Sequence, residues 1–183
     1  AECLKDFPNY VWSTYGMTET LSHIALRRLN GPEATEWYKP FSNVSVAINS
    51  EGCLVINAPS VHDDPLVTND IAKINENGCF KIYGRKDNVI CCGGIKIQIE
   101  EVETALRPWL KHPFMISKRF DQKFGEIMVL LTEDTKLSVV KDICLQRLPK
   151  YWQPKAYIHV ASLPMTETGK PARAKALALA KEI

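Results

Sequence analysis

The run Ser13–Ala25, STYGMTETLSHIA, gathers an aromatic ring, a glycine, several hydroxyls and one carboxylate, with no lysine or arginine among them. Tyr15 offers a π-face to a base, Gly16 a flexible backbone, Thr18 a hydroxyl that can donate to a phosphate, and Glu19 an oxygen ligand of the kind Mg²⁺ prefers. The same letters also read as a turn in which Thr and Glu cap a helix over ETLSHIALRRL. Three other clusters share this double reading. In VTNDIA, Asp70 at the start of a strand can accept hydrogen bonds from both hydroxyls of a ribose, or close an Asx turn. In YGRKDNVICCGGIKIQIEEVE, from Tyr83 to Glu103, Arg85, Lys86 and Asp87 lie where the composition changes. Gly93-Gly94 in that run lets backbone approach a ligand closely, or forms a glycine bulge after a basic turn. In LPMTETGKPAR, Lys170 follows a glycine just before a helix start, where an ammonium can reach phosphates; the alternative is a solvated surface lysine. This is no Walker loop, because Pro164 replaces its first glycine and Pro171 its Ser/Thr.

The elements that must position these clusters are legible as changes of period. NVSVAINSEGCLVINAPS alternates on both sides of Ser50-Glu51-Gly52, and IAKINENGCFKIYGR around Asn77-Gly78, so each predicts a hairpin. Ile99, Val102 and Leu106 follow helical spacing until Pro108. FMISKRF, EIMVLLTE and KAYIHVASL predict strands, the second nearly all apolar and therefore central. Leu137, Val140, Cys144 and Leu148 mark a helix closed by Pro149, and Pro171 opens a terminal helix as a first-turn proline. Strands with packed helices after residue 87 make a small α+β unit, and the boundary falls at Arg85-Lys86-Asp87.

The 183 residues carry 45% apolar and 24% charged side chains, and a formal charge of +2. That balance makes no electrostatic case for nucleic acid or an anionic membrane, and no apolar run approaches the ~20 residues of a membrane span. The opening AECLKDFPNYVW lacks the build of a signal peptide. Six cysteines (Cys3, Cys53, Cys79, Cys91, Cys92, Cys144) have no framework spacing, so reduced thiols and a cytoplasmic location are expected. His23, His62, His112 and His159 fall at no zinc-ligand spacing.

Taken in order, YGMTET, TND, GRKDNVI…GG.K…EEVE and TGK resemble the C-terminal half of the adenylate-forming superfamily: acyl- and aryl-CoA synthetases, luciferases and adenylation domains of peptide synthetases. The resemblance runs from Ser13 to Lys170. It implies ATP, Mg²⁺, coenzyme A and a small carboxylic acid as reactants, with an acyl-adenylate formed first and a thioester second. It assigns residues 1–86 to the β-rich tail of a large AMP-binding domain and 87–183 to a mobile C-terminal domain. By motif position Tyr15 would stack on adenine, Thr18 contact phosphate and Glu19 hold Mg²⁺. Asp70 and Arg85 would hold the ribose, Asp87 would be the hinge, Gly94 would line the pantetheine tunnel with Lys96 nearby, and Lys170 would bridge carboxylate and α-phosphate. Asn69 stands where the family has glycine, a change asparagine tolerates.

The family's Ser/Thr/Gly-rich phosphate loop lies upstream of YGMTET and is not in this sequence. The chain is therefore expected to need an upstream domain and to be inactive alone. Residues after YGMTE usually line the acyl pocket. Ser22 and His23 there suit a polar or aromatic acid, or else merely face the exposed side of the following helix. With only 51 positions from Glu19 to Asp70, the build looks most like the branch that ligates o-succinylbenzoate to coenzyme A in menaquinone synthesis. Another acyl-CoA ligase, a stand-alone amino-acid adenylation domain and a non-catalytic nucleotide- or partner-binding fragment are the alternatives.

Overall fold

The computed structural model describes residues 4 and 7–181. The chain divides into two compact units, residues 1–86 and residues 87–183. Among the described residues Cys53, Cys79, Cys91, Cys92 and Cys144 are free thiols, and Cys3 lies outside them. No helix among the described residues is long and apolar enough to cross a membrane.

Residues 1–86 form two antiparallel sheets. The first joins β1 (Trp12–Gly16), β2 (His23–Arg28) and β3 (Lys39–Pro40); the second is a meander of β4 (Ser45–Ile48), β5 (Cys53–Asn57), β6 (Leu66–Ile74) and β7 (Phe80–Arg85). Both hairpins expected from sequence alternation are present, at β4–β5 and β6–β7. Alternation turns Ile24, Leu54, Ile56, Ala72 and Phe80 into one shared core. The stretch that could have been a capped helix over Glu19–Leu29 is instead strand β2. Leu21 takes φ 57°, outside the right-handed helical region, and Ile24 and Ala25 bury themselves in a strand paired on both sides.

Residues 87–183 build a sheet in the order β10-β11-β8-β9, from β8 (Val89–Cys92), β9 (Ile95–Gln98), β10 (Phe114–Asp121) and β11 (Gly125–Thr132). β12 (Ala156–His159) lies parallel to β11. Period 2 splits the apolar run of β11 between two cores. Met128 and Leu130 meet α1 (Ile99–Leu106) and α2 (Leu137–Arg147), while Val129 and Leu131 meet α3 (Arg173–Lys181). A strand covered on both faces must be apolar throughout, which is why EIMVLLTE reads as a continuous run. This is the α+β class expected. Two details differ. Gly93 and Gly94 are not a bulge but a two-residue hairpin turn with φ 55° and 83°, joining β8 to β9. Pro171 precedes α3, which starts at Arg173. It occupies a β-bridge opposite Met165, where its missing N–H costs nothing.

Candidate functional site

The loop after β1 is closed by one buried hydroxyl. Thr20 Oγ1 accepts from the Met17 N–H at 3.0 Å and lies 2.9 Å from both the Met17 and Ser22 carbonyl oxygens, to which it can donate. That knot shapes a single 3₁₀ turn, Thr18–Thr20, and leaves Thr18 and Glu19 facing solvent. It also drives Leu21, 82% exposed, into the left-handed region, a conformation costing about 1–2 kcal/mol for a non-glycine residue. Strain of this kind clusters where a loop is held ready for a ligand. Gly16 is dictated by the same packing, since a Cβ there would overlap the Ser22 carbonyl oxygen. Ser22 and His23 are both exposed at the entry to β2.

Tyr15, at the end of β1, meets β6. Its hydroxyl donates to Asp70 Oδ2 at 2.5 Å. Its ring stands edge-on to Phe80 at 5.1 Å and tilted against Tyr38 at 5.7 Å, the T-shaped and tilted arrangements aromatic quadrupoles favour. Burial raises the Tyr15 phenol well above the usual tyrosine range, and the hydrogen bond and negative charge of Asp70 push it the same way. Asp70 sits in the middle of β6 rather than at its start, opposite Arg85 of β7. Its N–H donates to Thr68 Oγ1 at 3.0 Å, a local turn by Thr68 in place of an Asx turn. Tyr15, Asp70 and Arg85 are thus assembled by one strand pairing and one hydrogen bond: a ring, a carboxylate and a guanidinium together. Thr18, Glu19, Ser22 and His23 belong to the adjoining loop.

In residues 87–183, Asp87 lies in the 3₁₀ turn Lys86–Asn88, and Gly94 and Lys96 lie on the exposed β8–β9 hairpin. Gly93 N–H donates to the Phe124 carbonyl, tying this hairpin to the Asp121–Gly125 end of β10–β11. Lys170 is exposed on a separate turn, and its ammonium has no ion-pair partner among the described residues. That turn is held by Thr166 N–H to the Lys170 carbonyl (2.8 Å), Gly169 N–H to the Thr166 carbonyl (2.9 Å) and Lys170 N–H to Thr166 Oγ1 (3.0 Å). Its first arm is anchored where Leu163 N–H donates to Glu133 Oε1, just past the Phe114–Thr132 end of the ladder. The Gly94 and Lys170 turns therefore attach to opposite ends of the β10–β11 ladder, which spans roughly 25 Å.

Sequence reasoning missed one ionic group. Glu103 on α1 and Arg173 at the start of α3 form a bidentate pair, Nη1–Oε1 at 2.6 Å and Nη2–Oε2 at 2.8 Å. Each is the last residue of a cluster singled out above, 70 positions apart, and nothing local signals their meeting. No cluster of three or more His, Cys, Asp or Glu able to hold a metal is present among the described residues. Mg²⁺, which keeps several waters and takes phosphate oxygens alongside one or two carboxylates, fits an exposed lone carboxylate such as Glu19.

No protein-family model matches the chain. Curated proteins similar to it are named as acyl-activating enzymes and as ligases of acids to coenzyme A or to a carrier protein. A probable acyl-activating enzyme 9 of Arabidopsis thaliana is 35% identical over 112 residues, 55% of this chain and 20% of the plant protein. Among these homologues is the 2-succinylbenzoate–CoA ligase of Bacillus velezensis, 26% identical over 91% of this chain and 40% of the ligase. The fold agrees with that of the o-succinylbenzoate CoA synthetase of Bacillus subtilis, solved with its acyl-adenylate intermediate: TM-score 0.79 at 22% identity, covering 96% of this chain and 42% of the synthetase. The chain spans well under two thirds of the length of the curated relatives it matches.

Proposed function

We propose that this chain is the C-terminal part of an ATP-dependent acid–CoA ligase. A substrate carboxylate oxygen attacks the α-phosphorus of ATP, pyrophosphate leaves, and an acyl-adenylate forms. The thiol of coenzyme A then attacks the acyl carbonyl, and AMP leaves with the electron pair of the broken C–O bond. The observation that carries the proposal is the attachment of the Lys170 and Gly94 turns to opposite ends of one ladder. A unit so built presents a cation from one end for phosphoryl chemistry and glycine backbone from the other for a pantetheine arm. It would do so in turn, with Asp87 as hinge. Tyr15 stacks on adenine while Asp70 and Arg85 hold the ribose. Thr18 contacts phosphate, and Glu19 would hold Mg²⁺, which would supply charge neutralisation there. Lys96 stands beside Gly94 at the thiol channel. The pentacoordinate phosphorus gathers negative charge, so an ammonium aimed at it stabilises the transition state beyond the ground state.

For the acid we propose o-succinylbenzoate and a cytoplasmic role in menaquinone synthesis. Similarity to a 2-succinylbenzoate–CoA ligase along nearly the whole chain supports this; Ser22 and His23, exposed at the entry to β2, would supply hydrogen bonds to the acid. The higher identity to a plant acyl-activating enzyme favours, as second reading, a ligase for a different acid. The test is pyrophosphate release by the natural polypeptide containing this chain and its upstream nucleotide-binding region, with o-succinylbenzoate, benzoate and a fatty acid side by side. Lys170→Ala should slow adenylation by about 10²–10³ and spare thioester formation from supplied acyl-adenylate. Equal loss in both half-reactions would remove Lys170 from its role, and absence of preference for o-succinylbenzoate would leave the second reading.

A further inference from the structure

The residues of the Lys170 turn from Met165 to Pro171 are exposed. Met165 and Pro171, which pair at its base, border an open groove of about 570 Å³. Its own hydrogen bonds set its shape, and they do not set where it points. That is decided by what holds its two arms.

The C-terminal arm runs from Lys170 through Pro171 and Ala172 to Arg173. Ala172 N–H donates to the Pro164 carbonyl at 2.9 Å, and Arg173 begins α3. The Arg173 guanidinium grips Glu103 with both terminal nitrogens and also donates from Nη1 to the Ile116 carbonyl at 3.1 Å. Glu103 Oε1 in turn accepts from the Ile116 N–H at 2.8 Å. One carboxylate and one guanidinium thus tie α1, β10 and α3 together at a single point, with the Glu103 side chain only 12% exposed. Burial disfavours the charge on Arg173, and the hydrogen bond and charge of Glu103, joined by the charge of Glu100, more than restore it. The N-terminal arm is held by Glu133, whose Oε1 accepts from Leu163 N–H at 2.9 Å. Both arms therefore end on a carboxylate fixed to the core.

We infer that Glu103 and Arg173, with Glu133 on the opposite arm, are positioning residues that aim Lys170 for the adenylation step. The inference rests on the proposed role of Lys170. A planar guanidinium making two parallel bonds fixes direction as well as distance, which a lysine ammonium at the same place would not. Misplacement by about 1 Å from a site remote from the chemistry can slow a reaction by ~100-fold.

Two measurements on the same variants test this. Glu103→Gln and the milder Arg173→Lys, which keeps the charge and loses the fork, are made in the 183-residue chain for amide exchange. They are also made in the natural longer polypeptide for separated half-reactions. Exchange across residues 163–173 is expected to rise by roughly tenfold while the β10–β11 ladder keeps its protection. Adenylation should fall by a similar factor at unchanged KM for ATP, with thioester formation from supplied acyl-adenylate intact. Glu133→Gln should act on the same half-reaction. Unchanged exchange in 163–173, or equal loss of both half-reactions, overturns the positioning role. If exchange rises but Lys170→Ala itself leaves adenylation whole, the role of Lys170 is what fails, and the positioning inference falls with it for that separate reason.

Discussion

The hydrogen bond from Tyr15 to Asp70 crosses 55 positions of sequence and commits one carboxylate oxygen, leaving the other for a ligand hydroxyl. It also gives the protein a measurable pH signature. Burial, then the Asp70 hydrogen bond and charge, hold the Tyr15 proton more tightly in the folded chain than in the unfolded one. The associated stability is intact below the unfolded tyrosine pKa of about 10 and is lost as pH rises beyond it. Tyr15→Phe removes both the bond and the titration. At neutral pH the variant should be less stable by about 1–3 kcal/mol, because a half-buried carboxylate loses its donor. Above pH 10 the gap to wild type should narrow, since only the wild type then loses proton-linked stability. Urea midpoints of both proteins at pH 7 and at pH 10.8 decide it, and a gap that stayed constant or widened would contradict the assignment.

Elements that repeat at short range were legible, because a hairpin or an amphipathic helix writes its period within a dozen residues. The β4–β5 and β6–β7 hairpins, the doubly covered β11 and helices α1 and α2 follow from alternation, spacing and prolines, while α3 starts two residues after the proline expected in its first turn. Strand β2 was ambiguous for an equally physical reason. Thr and Glu ahead of it read as helix caps as readily as turn residues, and the deciding facts are non-local: the partners β1 and β3 and the positive φ of Leu21. The turn Lys86–Asn88 is the element whose proposed role is most open to a direct trial. Asp87→Pro fixes φ where a hinge needs torsional change. In the natural polypeptide the variant should accumulate acyl-adenylate while thioester output drops by roughly tenfold or more. Thioester formation at the wild-type rate would take Asp87 out of the hinge role.

At the scale of the molecule, the groups proposed to meet nucleotide divide by how far each reading reached. The motif residues themselves stand in sequence clusters and were visible. Their assembly was not: Asp70 meets the Tyr15 hydroxyl across 55 positions and from a different sheet, and Arg173 reaches Glu103 across 70 positions, distances at which a linear pattern carries no geometric information. What the chain holds for ATP is correspondingly partial. Tyr15 can offer a face to adenine, Asp70 and Arg85 a grip on ribose, and Glu19 a ligand to Mg²⁺. A cradle of backbone N–H groups for the β- and γ-phosphates, the arrangement glycine-rich loops and helix N-termini supply, is not among its motifs. A formal charge of +2 adds little attraction for a polyanion. ATP should therefore bind the 183-residue chain weakly, with Kd in the ~mM range, near −4 kcal/mol. Asp70→Asn should weaken what binding there is by about 1–2 kcal/mol. Titration calorimetry at millimolar nucleotide tests both statements. A low-micromolar Kd would mean that this chain contains a phosphate cradle of its own, and that the proposed division of labour with an upstream region is wrong.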